Sequence, residues 1–381
     1  MARIVIGSYM FRYPLGGMMS WVLQYLVGLH RLGHEVFFVE KAGYSGACFD
    51  PTRNLMTDDC AYGVRVVHEL LARHGLGENW CFVDGNEQYH GVPKNRIEEI
   101  FRTAELFLDM GTHGAWLHEA SESGMRVLLD GEPGFTQIKM EKRRAAGEAL
   151  PAYDRYYTAG LNLGSAQSSS PTAGCQWRPM PHPVVTDLFS FSEPAAGAAA
   201  TTVMNWQSHA PIEFQGRTYG QKDVEFPKFI ELPRLTGLPV EIAVSGKSAP
   251  AAMLKERGWR VVSGHATTIS FDSFSNYIRG SLAEFSVCKN VFVALQTGWF
   301  SDRAAAYLAS GRPVVQQDTG FSRHLPCGAG LFAVANVGEA AQALEEIRAR
   351  PAGHARQARD IACEHLEGTR VLGKFLDEIG L

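Results

Sequence analysis

Arg3-Ile-Val-Ile-Gly-Ser8 opens the chain, and Glu35-Val-Phe-Phe-Val-Glu40 follows after one amphipathic segment. Both are short apolar runs of strand length, the pattern of strands buried on both faces. Between them, Met18, Trp21, Val22, Tyr25, Leu26, Leu29 and Leu32 recur at helical spacing, and Gly33 follows as a C-terminal stop. Strand, helix and strand in that order imply a crossover connection and a parallel sheet covered on both faces.

Outward from this unit the rhythm continues. Helices are expected near 61–74, 94–103 and 114–123, with strands at 80–84, 105–109, 125–130 and near 154–159. Leu163 to Pro183 interrupts it, because Ser168-Ser-Ser-Pro171 and Pro179-Met-Pro-His-Pro183 are linker chemistry. The alternation then restarts. Strands are expected at 201–206, 239–244, 259–263, 283–287 and 312–316, and helices near 223–235, 249–257, 301–310 and 338–349. The tail from Gly353 reads as two helices hinged at Gly368. The fold class is therefore α/β, with two Rossmann-like domains at 1–180 and 181–365 and a last helix at 366–381. In open parallel sheets, ligands sit outside the carboxyl ends of the strands, so two sheets in tandem suggest a cleft between them.

The chain has 381 residues, 45% of them hydrophobic and 20% charged, ample for two packed cores. Thirty-six basic against 40 acidic side chains leave a net charge of −4, which argues against a nucleic-acid-tracking surface. No apolar run reaches transmembrane length, and the N-terminus reads as a strand rather than a signal peptide. The seven cysteines are scattered without a CxxC pair, which reads as buried thiols in a reducing cytoplasm.

Six loops carry candidate chemistry. Ser301 stands as an N-cap before an Ala-rich helix that Gly311 ends, and Asp302 and Arg303 occupy its first turn. Arg303 opposes the helix dipole there and makes better sense beside an anion, although an ordinary capped helix with an exposed Arg has the same local pattern. In Gly216-Arg217-Thr-Tyr-Gly-Gln-Lys222, two glycines and two spaced cations suit a diphosphate; a solvated loop is the plainer reading. Gly16 and Gly17 follow the first strand and allow close backbone approach, without the GxGxxG fingerprint of a nicotinamide enzyme. His113, and Asp130 with Glu132, follow first-domain strands and are candidate sugar-binding or acid–base groups. Asp130 and Glu132 are not expected to point the same way. Lys289 follows the 283–287 strand as a further cation. No HxxxH, HExxH or DxD cluster supports a protein-bound catalytic metal.

These residues together resemble GT-B glycosyltransferases of the bacterial family-one-like and family-four-like groups. Gly28-Leu-His-Arg-Leu-Gly-His-Glu-Val36 is similar to the GL-x-x-LGHEV stretch of that superfamily's first αβ unit. Gly216-Arg217 with Lys222 matches its diphosphate-clamping pair, and Tyr307-Leu-Ala-Ser-Gly-Arg-Pro-Val-Val315 is similar to its E-A-x-A-x-G-x-P-V-V segment. Thr319-Gly320-Phe321 then falls at the family's turn near the donor. The family's ribose-binding Glu aligns with Ala306, and Asp302 lies one helical turn earlier.

The resemblance implies a metal-independent transfer of a sugar from a nucleotide-diphosphate sugar, used as co-substrate with no cofactor, to a small-molecule or glycan acceptor. It implies a donor bound by the second domain, an acceptor bound by the first, and a last helix returning to the first. His113 is similar to the histidine at the donor sugar in retaining members, which favours a retaining outcome. A nucleotide-sugar 2-epimerase on the same fold and a non-catalytic sugar-nucleotide-binding protein are the alternatives.

Overall fold

The computed structural model describes residues 1–246 and 248–381. Its first half contains β1 (Arg3–Gly7), β2 (Glu35–Lys41), β3 (Cys48–Asp50), β4 (Leu55–Thr57), β5 (Trp80–Val83) and β6 (Tyr89–Gly91). β7 (Leu106–Asp109), β8 (Met125–Asp130), β9 (Arg155–Thr158) and β10 (Trp177–Pro179) complete that half. One sheet joins eight of them in the order β10-β9-β8-β7-β1-β2-β5-β6, and β3 and β4 form a separate hairpin. All neighbours are parallel except β6, which turns back on β5.

The second half contributes β11 (Ala200–Asn205), a hairpin of β12 (Ile212–Phe214) and β13 (Arg217–Tyr219), then β14 (Val240–Ser245) and β15 (Arg260–Ser263). β16 (Ala283–Ser286), β17 (Val314–Gln317) and β18 (Leu331–Val334) follow. Its six-stranded sheet is wholly parallel in the order β15-β14-β11-β16-β17-β18. In both sheets the chain builds outward from the first strand in one direction, then returns to build on its other side. That is the doubly wound pattern, with a switch point between β1 and β7 and another between β11 and β16.

Burial explains the strands. Ile4, Val5 and Ile6 are wholly enclosed because helices cover both faces, and each such side chain is worth about 1.5–3 kcal/mol over leaving it in water. The Gly16–Arg31 helix packs against the Phe271–Arg279, Asp302–Ala309 and Gly368–Ile379 helices, so one apolar cluster runs through both halves. Gly28 has no side chain where Leu372 seats; a Cβ there would lie 2.4 Å from Leu372 Cδ1. The last helix is held further by Phe375 edge-on to Tyr157 and by Tyr157 Oη donating to Glu378 Oε2 at 3.2 Å. The two chain crossings between the halves also meet, where Val184 and Glu367 bridge.

Several elements differ from the sequence expectation. The expected 114–123 helix is a series of turns ending in a 3-10 segment, Glu119–Glu122, because His113 and Gly114 both take positive φ at its start. The expected 223–235 helix is cut into Lys222–Glu225, Phe226–Phe229 and Leu232–Leu235 by Pro227 and Pro233. The linker stretch contributes β10, and Arg217 lies in a hairpin strand rather than a loop. The Phe135–Ala145 and Phe271–Arg279 helices had no counterpart in the sequence reading.

Candidate active site

The two switch points face each other across a cavity of about 650 Å³. Tyr9 beyond β1 and Met110, Gly111 and His113 beyond β7 line it from the first sheet. Asn205 at the end of β11, Ser245 at the end of β14 and Lys289 beyond β16 line it from the second. Trp299, Asp302 and Arg303, at and before the start of the Asp302–Ala309 helix, and Lys222 complete that wall. The position follows from topology: a crevice opens wherever adjacent strands send their connections to opposite faces.

Lys222 is the most telling group. Its side chain is buried, yet its ammonium has no hydrogen-bond or ion-pair partner among the described residues. Burial, and then the nearby Arg303 charge, push its pKa down to about 7. A buried cation without a carboxylate is costly unless something anionic completes it. Arg303, by contrast, is already committed. Its Nε lies 2.5 Å from Glu284 Oε1, and Nη2 donates to Ser286 Oγ at 2.8 Å. Burial lifts the Glu284 carboxyl above its usual range, which Arg303 partly offsets. Arg303 therefore meets the cavity as half of an ion pair, not as a free cation.

Lys289 also has a partner, and it comes from the opposite domain: its Nζ lies 2.5 and 2.6 Å from the two carboxylate oxygens of Glu132. Asp130 and Glu132 both line the cavity, which corrects the expectation that they point apart: residues two apart in extended chain share a side, and the chain leaves the strand at Asp130 through Gly131. Asp130 is held by three hydrogen bonds: Oδ1 accepts the Glu132 N–H, and Oδ2 accepts Gln137 and Thr158 at 2.8 and 2.9 Å. Burial raises its pKa.

His113 sits at φ +54°, a left-handed conformation costing about 1–3 kcal/mol that its surroundings must hold. Asp109 holds it. Its two carboxylate oxygens accept the N–H groups of Thr112 and Gly114 at 2.7 and 3.0 Å, and Tyr153 Oη donates to it at 2.6 Å. Desolvation in the cleft lowers the His113 pKa, so the imidazole is neutral near pH 7.

Six of the sequence-predicted positions lie off the cavity wall. Gly16 packs on the other domain: its N–H donates to Thr268 O at 2.6 Å, and an added Cβ would meet Ser270 O at 2.3 Å, so protein fills the space proposed for phosphate. Gly17 does line the cavity, with open space at its Cβ position. Arg217 stands exposed on β13, outside the wall. Ser301 occupies the N-cap position, but its side chain makes no capping bond. Thr319 Oγ1 donates to Trp299 O at 2.6 Å, Gly320 packs on Asn162, and Phe321 packs on Phe300, so this turn supports the wall from behind.

The residues that sequence reasoning passed over are Asp109, Asn205, Ser245, Lys139 and His209. The first three end strands, the one signal available for them. Lys139 lies on the unread Phe135–Ala145 helix. His209 stacks on Phe135 across the cleft, centroids 5.2 Å apart, a contact between distant segments.

No family model and no curated protein matches the chain. Its shape does have relatives among solved structures. HepE from Anabaena, solved with UDP-glucose, superposes with a TM-score of 0.59 at 10% identity, covering all of both chains. A glycosyltransferase from Rickettsia africae gives 0.54 at 10% identity over 99% of this chain and 97% of its own. An alpha-glucosyltransferase solved with UDP-glucose and abasic-site DNA gives 0.57 at 9% identity over all of both chains. The chain has the GT-B fold. In this GT-B chain the cleft between the two doubly wound sheets is the cavity just described, and its two walls differ. The second-domain wall carries Lys222, Lys289 and Arg303, whereas Leu15, Met18, Trp21, Leu129, Phe135 and Met140 make much of the first apolar.

Proposed function

We propose that this protein is a glycosyltransferase that takes a sugar from a nucleotide-diphosphate donor held by the second domain and passes it to an acceptor held by the first. The observation that carries this reading is Lys222, a buried cation without a partner among the described residues, at the switch-point cavity of a GT-B fold. A donor diphosphate would complete it, and as the sugar departs the leaving diphosphate gains charge that Lys222 and Lys289 stabilise. The bound UDP and UDP-glucose of the fold relatives support a uridine donor. The reaction in this reading is metal-independent and rests on these cations.

The carboxylates support a retaining outcome. Asp130 accepts hydrogen bonds from the Glu132 N–H, Gln137 and Thr158, and Glu132 is paired with Lys289, so in this reading both carboxylates are used for positioning rather than as the base for an acceptor hydroxyl. Asp130 is then a positioning residue for the β8 turn, and His113 a donor or acceptor to the sugar. The apolar first-domain wall fits a small acceptor with an apolar body better than a sugar polymer. With a net charge of −4, nucleic acid is not the expected acceptor, although one fold relative was solved with DNA. The cytoplasm is the expected location.

The test begins with a thermal-shift screen of nucleoside diphosphates, since a ligand of the native state raises its apparent stability. UDP is expected to raise the midpoint, and UDP-sugar with a hydroxylated aromatic or lipid acceptor to release UDP. Conversion of the donor sugar without acceptor would favour the epimerase reading. Donor binding without turnover across a broad acceptor panel would favour a non-catalytic binder. Failure of every nucleotide to stabilise the protein would overturn all three.

A further inference from the structure

Cys60, Asp84 and His90 converge away from the cavity, which none of them lines. Cys60 precedes the Ala61–Ala72 helix and is buried; Asp84 and His90 flank the β5–β6 turn. His90 Nε2 lies 2.9 Å from Asp84 Oδ2 and 3.6 Å from Cys60 Sγ. The three ligand atoms all fall within 4.8 Å of one another.

The trio is not a nucleophile relay. A relay needs the thiol on one imidazole nitrogen and the carboxylate on the other, whereas both meet Nε2 here. One nitrogen carries one lone pair or one proton and cannot serve two partners in sequence. It can point into a space that a cation shares with the thiolate and the carboxylate. We propose that Cys60, Asp84 and His90 bind one divalent transition-metal ion of the zinc class, with water as fourth ligand, at a site separate from the cleft.

The chemistry and the spacing both fit. Thiolate, imidazole and carboxylate are the ligand types zinc takes, and a tetrahedral centre at ordinary bond lengths separates sulfur from nitrogen by about 3.5 Å. The supports are built in. Asp84 Oδ1 accepts the N–H groups of Asn86 and Gln88 at 2.8 and 3.0 Å, which leaves Oδ2 for the ion. The His90 ring stacks on its cross-strand partner Phe82. Gly91, at φ +78°, lets the hairpin close on Trp80, whose carbonyl oxygen would lie 2.4 Å from a Cβ there. Binding replaces the thiol proton of Cys60, which goes to solvent; Asp84 enters as carboxylate and His90 as neutral imidazole. The ion would tie an edge hairpin to a helix that reaches the other domain through Tyr62, which donates to Ile269 O, and Arg73, paired with Asp272.

Cobalt(II) titration of the chelator-treated full chain tests this. One equivalent is expected to give the d–d bands of a tetrahedral site and a thiolate-to-cobalt charge-transfer band, with one proton released per ion. Cys60→Ser abolishes the charge-transfer band, and Asp84→Asn and His90→Gln each weaken binding about tenfold or more. Cys363→Ser, at a thiol elsewhere, leaves the spectrum unchanged. Absence of a stoichiometric tetrahedral spectrum overturns the proposal, as does a charge-transfer band that survives Cys60→Ser or is lost in Cys363→Ser. Should Cys60→Ser fail to fold, His90→Gln decides: an unchanged cobalt affinity in that variant overturns the site.

Discussion

Lys289 of the second domain holds both carboxylate oxygens of Glu132 of the first, at 2.5 and 2.6 Å, across the floor of the cleft. The pair links the two halves at the point where a donor diphosphate would need a cation. In the proposed reaction Glu132 would therefore compete with the donor for Lys289.

Glu132→Gln is expected to tighten nucleoside-diphosphate binding about fivefold, because it removes one negative charge from an anion site and frees Lys289. The half-exposed carboxylate limits the gain to about 1 kcal/mol. Lys289→Met moves affinity the opposite way. Calorimetry of both variants checks the pair, and weaker binding in Glu132→Gln would mean that the carboxylate positions Lys289 rather than blocks it.

Lys222→Met should cost the donor about 1.5–3 kcal/mol, the range for a charge-assisted hydrogen bond. Arg217→Ala should cost little, since Arg217 stands on the exposed hairpin outside the cavity wall. Equal losses in the two variants would show that the β12–β13 hairpin folds over the donor.

The pH dependence of donor binding follows from Lys222, whose pKa lies at about 7 in the free protein. A bound diphosphate favours the ammonium, so binding raises that pKa and takes up a proton. Affinity is then full below about pH 7 and falls, by up to tenfold per unit, as the pH rises through the free value toward the bound one. Calorimetry in two buffers of different ionisation heat reads the proton uptake directly. In Lys222→Arg the uptake should vanish.

Arg303→Gln is expected to destabilise the fold by about 3–5 kcal/mol, because it strands the fully buried Glu284 carboxylate. Adding Glu284→Gln should recover most of the loss. A chemical-denaturation cycle on the two single variants and the double variant measures it. A loss of donor affinity in Arg303→Gln alone does not show phosphate contact, since Ser286 and the β16 end move with it.

Asp109→Asn is expected to leave donor affinity within about threefold but to lower turnover, since the His113 loop depends on both carboxylate oxygens. His113→Gly relieves the left-handed strain and should keep or raise stability while lowering turnover. Thermal midpoints beside kcat separate strain from chemistry. Unchanged turnover in both variants would remove His113 from the reaction.

The sequence by itself determined the architecture. Apolar runs such as Ile4-Val-Ile6 cannot be solvated as strands, and helical periodicity between them forces parallel crossovers; repeated on both sides of a proline-rich stretch, this dictates two doubly wound sheets. It also marked Lys289, Asp130, Glu132 and His113, because the ends of parallel strands are where such folds place chemistry, and Lys222, as one of two cations spaced around two glycines. Tertiary structure alone decided how those groups are used. Gly16 is spent on Ser270, Arg303 on Glu284 and Lys289 on Glu132, while Lys222 has no partner among the described residues. The Cys60, Asp84 and His90 grouping was equally unreadable, at spacings that match no metal motif. The physical reason is the same in each case. Local patterns report which face of an element is apolar, whereas the partner of a charge is fixed by side chains that only the packed domains bring within hydrogen-bond reach.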